Sequence, residues 1–490
     1  MINRTVPFTC LVLILLLAGF LRAWNLNENP PEIFPDEVFT YLSAKSFFED
    51  GQIRGERLPV YGFASYLSAS VLGGSPLGIR MPAVFFGLAS IILVYFLAKE
   101  LFGDTASALF AAFFMAIIPW HIHYSRVGWE AASLLPFLLL SVYLFIYGIN
   151  RERKSVLIVS FGMFALTFYT YAMAQLYSPL LLSCLLVIHR RYFLRERKAL
   201  MTGLIVFLIL TAPFIWVLVT EPIIFKRASM ISTFAYGIDS ESLSVFGTNY
   251  IKHLGPDFLF TRGDPNLRHG GGTGVIYWVM LPFLAAGIAY SAATAARRKE
   301  FYFLLFWLAV FPIAAALTND GIPHATRSLA GAPVLCLLSG RGVSGLVRTA
   351  AARAGRTFVS YILYAAVVII SLVPLYGFSK MYFGSYPVKS APDWEYGRKK
   401  LLTGIGKLGG GFKRVCAQKL RYFGHRRFIE YYLPDTELEF INNIDDPECS
   451  LGGSIIVQRY RLQKYWNSKL VGVIKMPDGQ IVYYVFTIEE

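Results

Sequence analysis

Charge is scarce in this sequence. Of its 490 residues only 16% are Asp, Glu, Lys or Arg, against about 25% in a soluble domain. The deficit is concentrated in long apolar runs, which excludes an ordinary soluble enzyme. Cysteine is sparse too, and five residues are too few for a disulfide-held scaffold. Cys10, Cys184 and Cys336 fall inside apolar runs and read as small core residues. Cys416 and Cys449 lie near the C-terminus; they pair if that part faces an oxidising compartment and otherwise stand as two thiols. There is no internal repeat and no low-complexity segment. The first apolar run lacks a small-residue cleavage site, so it reads as a retained anchor rather than a signal peptide.

What the chain has in excess is apolar surface: 55% of residues are hydrophobic and 16% aromatic. Runs of roughly 17 to 25 residues recur, enough to cross a hydrocarbon core of about 30 Å. Eleven spans are predicted, at 8–24, 81–98, 105–119, 131–149, 155–170, 174–188, 201–219, 275–294, 301–317, 328–340 and 357–377. The net charge of +15 raises nucleic acid as a partner, but the basic residues cluster in short loops between apolar runs. That pattern marks a cytoplasmic membrane face. With the N-terminus inside, loops 99–104, 150–154, 189–198, 296–300 and 341–356 carry sixteen Lys or Arg, while the short outer loops carry only Arg126 and Arg327.

The expected architecture is therefore a polytopic α-helical membrane domain over 1–378 and a small extracytoplasmic α/β domain over 379–490. In the latter, "SIIVQRYR" and "KLVGVIKMPDGQIVYYVFTI" read as strands, the second a hairpin turning at Asp478-Gly479. In the outer segment 25–80, "VFTYLSAKSFFEDG" and "YGFASYLSASVLGG" read as amphipathic helices lying in the membrane interface. The expected location is the plasma membrane.

Two patterns look like sites and are better read otherwise. "GRGVSG", Gly340 to Gly345, has dinucleotide-binding spacing but follows an apolar helix rather than a strand. "HIH", with His121 and His123, alternates like a metal pair but sits beside Trp120, where interface histidines are the plainer reading. No cofactor is indicated as required, and a divalent metal is left open.

The stretch "IFPDEVFTY" is different. Asp36 and Glu37 follow the first span and are flanked on both sides by apolar residues. A carboxylate held among such neighbours is partly desolvated and a stronger base, suited to taking a proton from a hydroxyl. Glu37 would orient the acceptor, support Asp36 or solvate the loop. On the same face lie Tyr124, Arg126 and Glu130 of "HYSRVGWE", Tyr171 of "TYAMAQ", and His324 and Arg327 of "PHATR". Two arginines with a carboxylate suit an anionic leaving group such as a phosphate.

The order "PDE", "HYSR", "PHATRS", "APDWEYG" along the chain resembles the GT-C membrane glycosyltransferases, in the branch of protein O-mannosyltransferases and lipid A aminoarabinose transferases. That resemblance implies an inverting transfer of one sugar from a polyprenyl-phosphate carrier to an acceptor hydroxyl on a protein, lipid or glycan outside the cytoplasm. It gives Asp36 the role of base and Arg126 and Arg327 that of phosphate ligands. Arg262, Asp264, Arg268 and His269 in "TRGDPNLRHGGGTG" would form a lid or grip the sugar, with Gly270 to Gly272 giving flexibility, or else only an ordinary structured loop. Gln175 stands where a basic residue is expected in many relatives, so no phosphate role is assigned there. The competing class is a lipid or solute transporter, which would carry charges near the bilayer midplane and show two related halves. Neither feature is present.

Overall fold

A computed structural model of the chain describes residues 5–51, 59–220, 230–293, 298–356, 358–408, 411–417, 426–434, 436–459 and 467–488. Residues 221–229 of the long outer loop, Arg297 of an inner loop and the end of "SIIVQRYR" lie outside the described residues. In chain order the principal helices begin with α1 (Thr5–Ala23), α2 (Pro35–Asp50), α3 (Pro59–Leu72), α4 (Pro76–Phe102), α5 (Thr105–Ile117), α6 (Pro119–Tyr124), α7 (Ala131–Asn150) and α8 (Lys154–Leu166). They continue with α9 (Ala174–Ile188), α10 (Arg197–Thr220), α11 (Ser240–Leu254), α12 (Leu281–Ala293), α13 (Arg298–Val310), α14 (Gly331–Ala354) and α15 (Phe358–Lys380).

Among the described residues six stretches are long and apolar enough to cross a membrane: Thr5–Ala23, Pro76–Phe102, Ala131–Asn150, Arg197–Thr220, Lys299–Ala316 and Phe358–Lys389. Four of the eleven expected spans are instead shorter apolar helices: Thr105–Ile117, Lys154–Tyr169, Ala174–Ile188 and Trp278–Ala293. The remaining one, 328–340, is the first part of α14, which runs on unbroken through Arg341 and Arg348. Local chemistry explains the shortening of α5: Pro119 cannot continue a helix but suits the first turn of α6.

The chain divides into two compact units. One comprises residues 1–24, 58–64 and 80–379; the other comprises 25–57, 65–79 and 380–490. The expected boundary at 378/379 is thus close to one seam, but much of the outer segment belongs with the C-terminal residues.

In the first unit, α5, α12 and α14 pack closely, and "GRGVSG" is the reason. A Cβ at Gly340 would strike the backbone of Ser107 and Ala111, and one at Gly342 would strike the Phe283 carbonyl. These glycines serve helix contact. Arg341 of the same motif pairs with Asp104 at 3.2 Å, as does Arg348. Asp104 also caps α5 by accepting the Ser107 N–H at 2.8 Å. Other inner-loop bases are similarly engaged: Arg151 with Glu100 at 3.3 Å and Lys154 with Glu196 at 2.6 Å.

The second unit is a five-stranded mixed sheet of order β2-β1-β3-β5-β4, with β1 (Arg414–Ala417), β2 (Glu439–Ile441), β3 (Ser454–Gln458), β4 (Lys469–Lys475) and β5 (Ile481–Ile488). β1 runs parallel to β2 and β3, while β5 is antiparallel to β3 and β4. The β4–β5 hairpin turns through Asp478 and Gly479, whose φ of 91° suits glycine. Cys416 and Cys449 form a disulfide. The core of this unit is shared. Ile33, Val38 and Leu42 of the α2 region are buried with Leu401, Val415, Phe428, Ile455 and Val485.

Candidate active site

Pro35 starts α2, with Phe34 as an extended N-cap. Glu37 is fully buried, and its Oε2 accepts the Phe34 N–H at 2.8 Å. That bond satisfies one of the donors exposed at a helix start. Glu37, a candidate for catalysis, also caps the start of the helix. Asp36 is half-buried in the same first turn, where the helix dipole favours an anion.

The segment before Asp36 is braced within its own unit. Phe34 meets Trp394 edge-on at 6.1 Å between centroids, and the Trp394 Nε1–H donates to the Tyr386 hydroxyl at 3.1 Å. Asn29 Nδ2 donates to the Tyr382 carbonyl at 2.8 Å. Glu32, which the sequence reading passed over, accepts the Gly397 N–H at 3.2 Å and the Tyr432 hydroxyl at 3.4 Å. Burial pushes the Glu32 carboxyl up from its ordinary range, against the pull of the backbone N–H groups of Gly397, Ile33 and Lys399. "APDWEYG" is thus the platform under the start of α2.

In the other unit, Arg126 is fully buried. Its guanidinium donates to the carbonyls of Leu21 at 3.0 Å, Arg22 at 2.8 Å and Trp24 at 2.8 Å. It caps the C-terminal end of α1, where helical carbonyls lack partners. Arg126, expected beside the phosphate, makes these backbone contacts. Arg22 is buried as well and donates to Ala116, Met115 and the Nδ1 of His121. His121 and His123 face different partners: His123 turns its Nε2 to the Arg268 carbonyl at 2.8 Å.

A second cluster assembles from the long loop and "PHATR". Asp264 is buried and accepts the N–H groups of Asn266 at 2.8 Å and Ala325 at 2.7 Å. Its Oδ2 also receives His269 Nδ1 at 2.9 Å and stands 3.9 Å from His324 Nδ1. The rings of His269 and His324 stack at 4.5 Å, and Trp129 lies edge-on to His269. Behind them, His253 accepts the His324 N–H at 2.9 Å. The Tyr124 hydroxyl bonds Thr326 at 2.6 Å.

Burial lowers the pKa of His324 well below the ordinary histidine value, helped by the charges of His269, Arg327, His253 and Arg268. Burial likewise brings His123 down to about 3, with His269, Arg126 and Arg80 adding to it. Imidazole nitrogens beside a carboxylate are donors that a divalent cation takes. The ligand atoms of Asp264, His269 and His324 lie within 4.8 Å of one another, so these three residues fit such an ion.

Not every expected residue joins this cluster. Arg262 is 84% exposed and opposes Asp257. Arg327 closes its own loop, donating to Thr318 at 2.6 Å and pairing with Asp320 at 3.1 Å. Ser133 bonds the carbonyls of Glu130 and Thr170, which brings half-buried Glu130 close to the stretch containing Tyr171. His253, Arg80 and Trp129 were not anticipated, because polar residues within helices and loops carry no periodic signal.

Residues 56–216 match the family model described as dolichyl-phosphate-mannose-protein mannosyltransferase. A putative mannosyltransferase, YkcB of Bacillus subtilis (strain 168), is 29% identical over 174 residues, 33% of this chain and 23% of that protein. The chain thus aligns with less than a quarter of that relative's length. The structure of ArnT from Cupriavidus metallidurans bound to undecaprenyl phosphate superposes with a TM-score of 0.60 at 14% identity, covering 99% of this chain and 98% of that one. The oligosaccharyltransferase AglB from Archaeoglobus fulgidus, in complex with an inhibitory peptide and a dolichol-phosphate, gives 0.59 at 14% identity, covering 92% and 69%. The chain is a multi-pass membrane protein with the fold of these solved structures.

Proposed function

We propose that this protein is a glycosyltransferase that moves one sugar from a polyprenyl-phosphate-linked donor to an acceptor hydroxyl on the extracytoplasmic side. The bond from the sugar's anomeric carbon to the phosphate oxygen breaks as the acceptor oxygen bonds that carbon from the opposite face. The configuration therefore inverts. Asp36 takes the acceptor's proton, and the phosphate leaves as an anion. Charge stabilisation of that anion matters more than its protonation. Arg268 and Arg327, whose charges both act on His324, are the arginines assigned to it here.

The observation that carries this reading is the division of labour at the start of α2. Glu37 is committed to the Phe34 backbone, so the base role of the pair falls to Asp36. The undecaprenyl and dolichol phosphates named in the ArnT and AglB structures support the donor class. The charge asymmetry of the loops supports an active side outside the cytoplasm. No metal is required in this scheme, because the arginines neutralise the leaving group. A cation at Asp264, His269 and His324 would add positive charge there.

The test is reconstitution of the purified chain in liposomes with a labelled polyprenyl-phosphate sugar and a crude acceptor fraction. Transfer with an inverted anomeric configuration, read by NMR, is the expected result. Transfer with retention, or none from several such donors, contradicts the proposal.

A further inference from the structure

Helix α11 is built the wrong way round for a water-facing helix. Its buried residues are polar: Asn249 and His253. Asn249 Nδ2 donates to the Thr318 carbonyl at 3.2 Å and to Asn319 Oδ1 at 3.1 Å. His253 Nδ1 donates to the Asn249 carbonyl at 2.7 Å, leaving Nε2 to accept the His324 N–H at 2.9 Å. Its large aliphatic residues point away from the protein: Leu243, Ile251 and Leu254 are 54%, 67% and 38% exposed.

At roughly 100° per residue, these three fall within an arc of about 80°. Exposed Ser244, Thr248 and Lys252 occupy the neighbouring arc, and Asn249 and His253 lie beyond it. The helix therefore has three faces: apolar, hydrated and protein-bound. A surface helix normally turns its apolar stripe to the core. Here that stripe is outside, on a helix of 15 residues that is too short to be among the stretches able to cross a membrane.

Two neighbouring features point to what covers it. Just ahead of α11, Tyr236 and Ile238 are almost wholly exposed. Beside the stripe opens a largely apolar cleft of about 630 Å³, walled by Ile251, Phe258, Ile322 and Pro323, with Lys252 and Arg262 at its edge and Asp257 4.0 Å from Arg262. An apolar wall with cations at its edge complements a lipid, whose chain is apolar and whose headgroup phosphate is anionic.

We propose that α11 lies in the plane of the membrane interface, with Leu243, Ile251 and Leu254 in the acyl boundary of an anionic phospholipid bilayer. Lys252 and Arg262 meet lipid phosphates, and the cleft accommodates part of an acyl chain. The inner face of the helix holds the backbone of His324, so seating in lipid fixes one end of the Asp264 cluster. This inference does not depend on the chemistry proposed above.

The experiment places single cysteines at Leu243→Cys, Ile251→Cys, Leu254→Cys, Ser244→Cys and Thr248→Cys in the full chain. Cys10, Cys184 and Cys336 are replaced by serine, and the disulfide is kept. Each variant carries an environment-sensitive fluorophore in nanodiscs of phosphatidylglycerol and phosphatidylcholine. Nitroxide on the acyl chains should quench labels at 243, 251 and 254 more than aqueous iodide does, and the order should reverse at 244 and 248. Iodide reaching 243, 251 and 254 as readily as 248 overturns the proposal. So does protection of those three sites from both quenchers, the mark of a protein partner. Size-exclusion profiles matching the parent confirm that each variant is folded.

Discussion

The Glu37 carboxylate accepts the backbone N–H of Phe34, three residues earlier in the chain, at 2.8 Å. One of two adjacent acids thus starts the helix that presents the other. Loss of such a cap costs about 0.5–2 kcal/mol. Glu37→Ala should lower Tm, while Glu37→Gln, which keeps an acceptor oxygen, should lower it less. Neither should cut turnover by more than about tenfold, since one proton needs one base. Parallel thermal melts and transfer assays check this.

Arg126 and the pair Arg268 and Arg327 should separate experimentally. Arg126→Ala strips three carbonyls at the end of α1 of their donor and should reduce Tm and yield. In the folded fraction, donor affinity should stay near the parent value. Arg268→Ala and Arg327→Ala should weaken binding of a polyprenyl-phosphate sugar by about tenfold or more, as expected for a lost charge-assisted contact. Lysine should rescue poorly where the guanidinium makes paired contacts. Donor binding by scintillation proximity distinguishes these outcomes.

Removing residues 400–490 should abolish transfer. The α2 segment shares its core with Leu401, Val415, Phe428 and Val485, so the truncation strips Ile33, Val38 and Leu42 of their packing. Proteolysis of the truncated chain should cut first within residues 25–50. A truncation with parental turnover would contradict this dependence.

That shared core was not legible in the sequence. Val38 and Leu42 sit at a helical spacing that announces a buried face, but nothing local says that strands some four hundred residues later supply the other half. Arg126 hid for the same reason: its acceptors, at Leu21, Arg22 and Trp24, are backbone atoms of a helix about a hundred residues earlier. What was legible was local. The β4–β5 hairpin followed from Asp478-Gly479 between alternating apolar residues, and the start of α2 followed from Pro35. "GRGVSG" lies within a helix and follows no strand, unlike a dinucleotide-binding turn. Glycines at helix–helix contacts leave the same spacing in the sequence as glycines around a phosphate. Only the packing against Ser107, Ala111 and Phe283 tells them apart.

The buried histidines predict acid lability. His123, held near 3 mainly by burial, and His324, held well below its ordinary value, are neutral in the folded protein. Their contribution to stability is complete above the ordinary histidine pKa near 6.5 and is lost as pH falls from there towards the folded-state values. Tm should hold between about pH 8 and 7 and fall steeply towards about pH 4.5. His123→Gln should flatten part of that fall, and an unchanged slope in this variant would assign the lability elsewhere.

The central claim is that Asp36 removes the acceptor's proton. Asp36→Asn keeps the shape of the side chain and removes its basicity. The variant should fold, bind the polyprenyl-phosphate sugar as the parent does, and lose turnover by about a hundredfold or more, the scale of a missing general base. The deciding measurement is kcat for transfer of labelled sugar in liposomes, with donor Kd determined on the same preparation. Parental kcat in Asp36→Asn would contradict the account, whatever the fold.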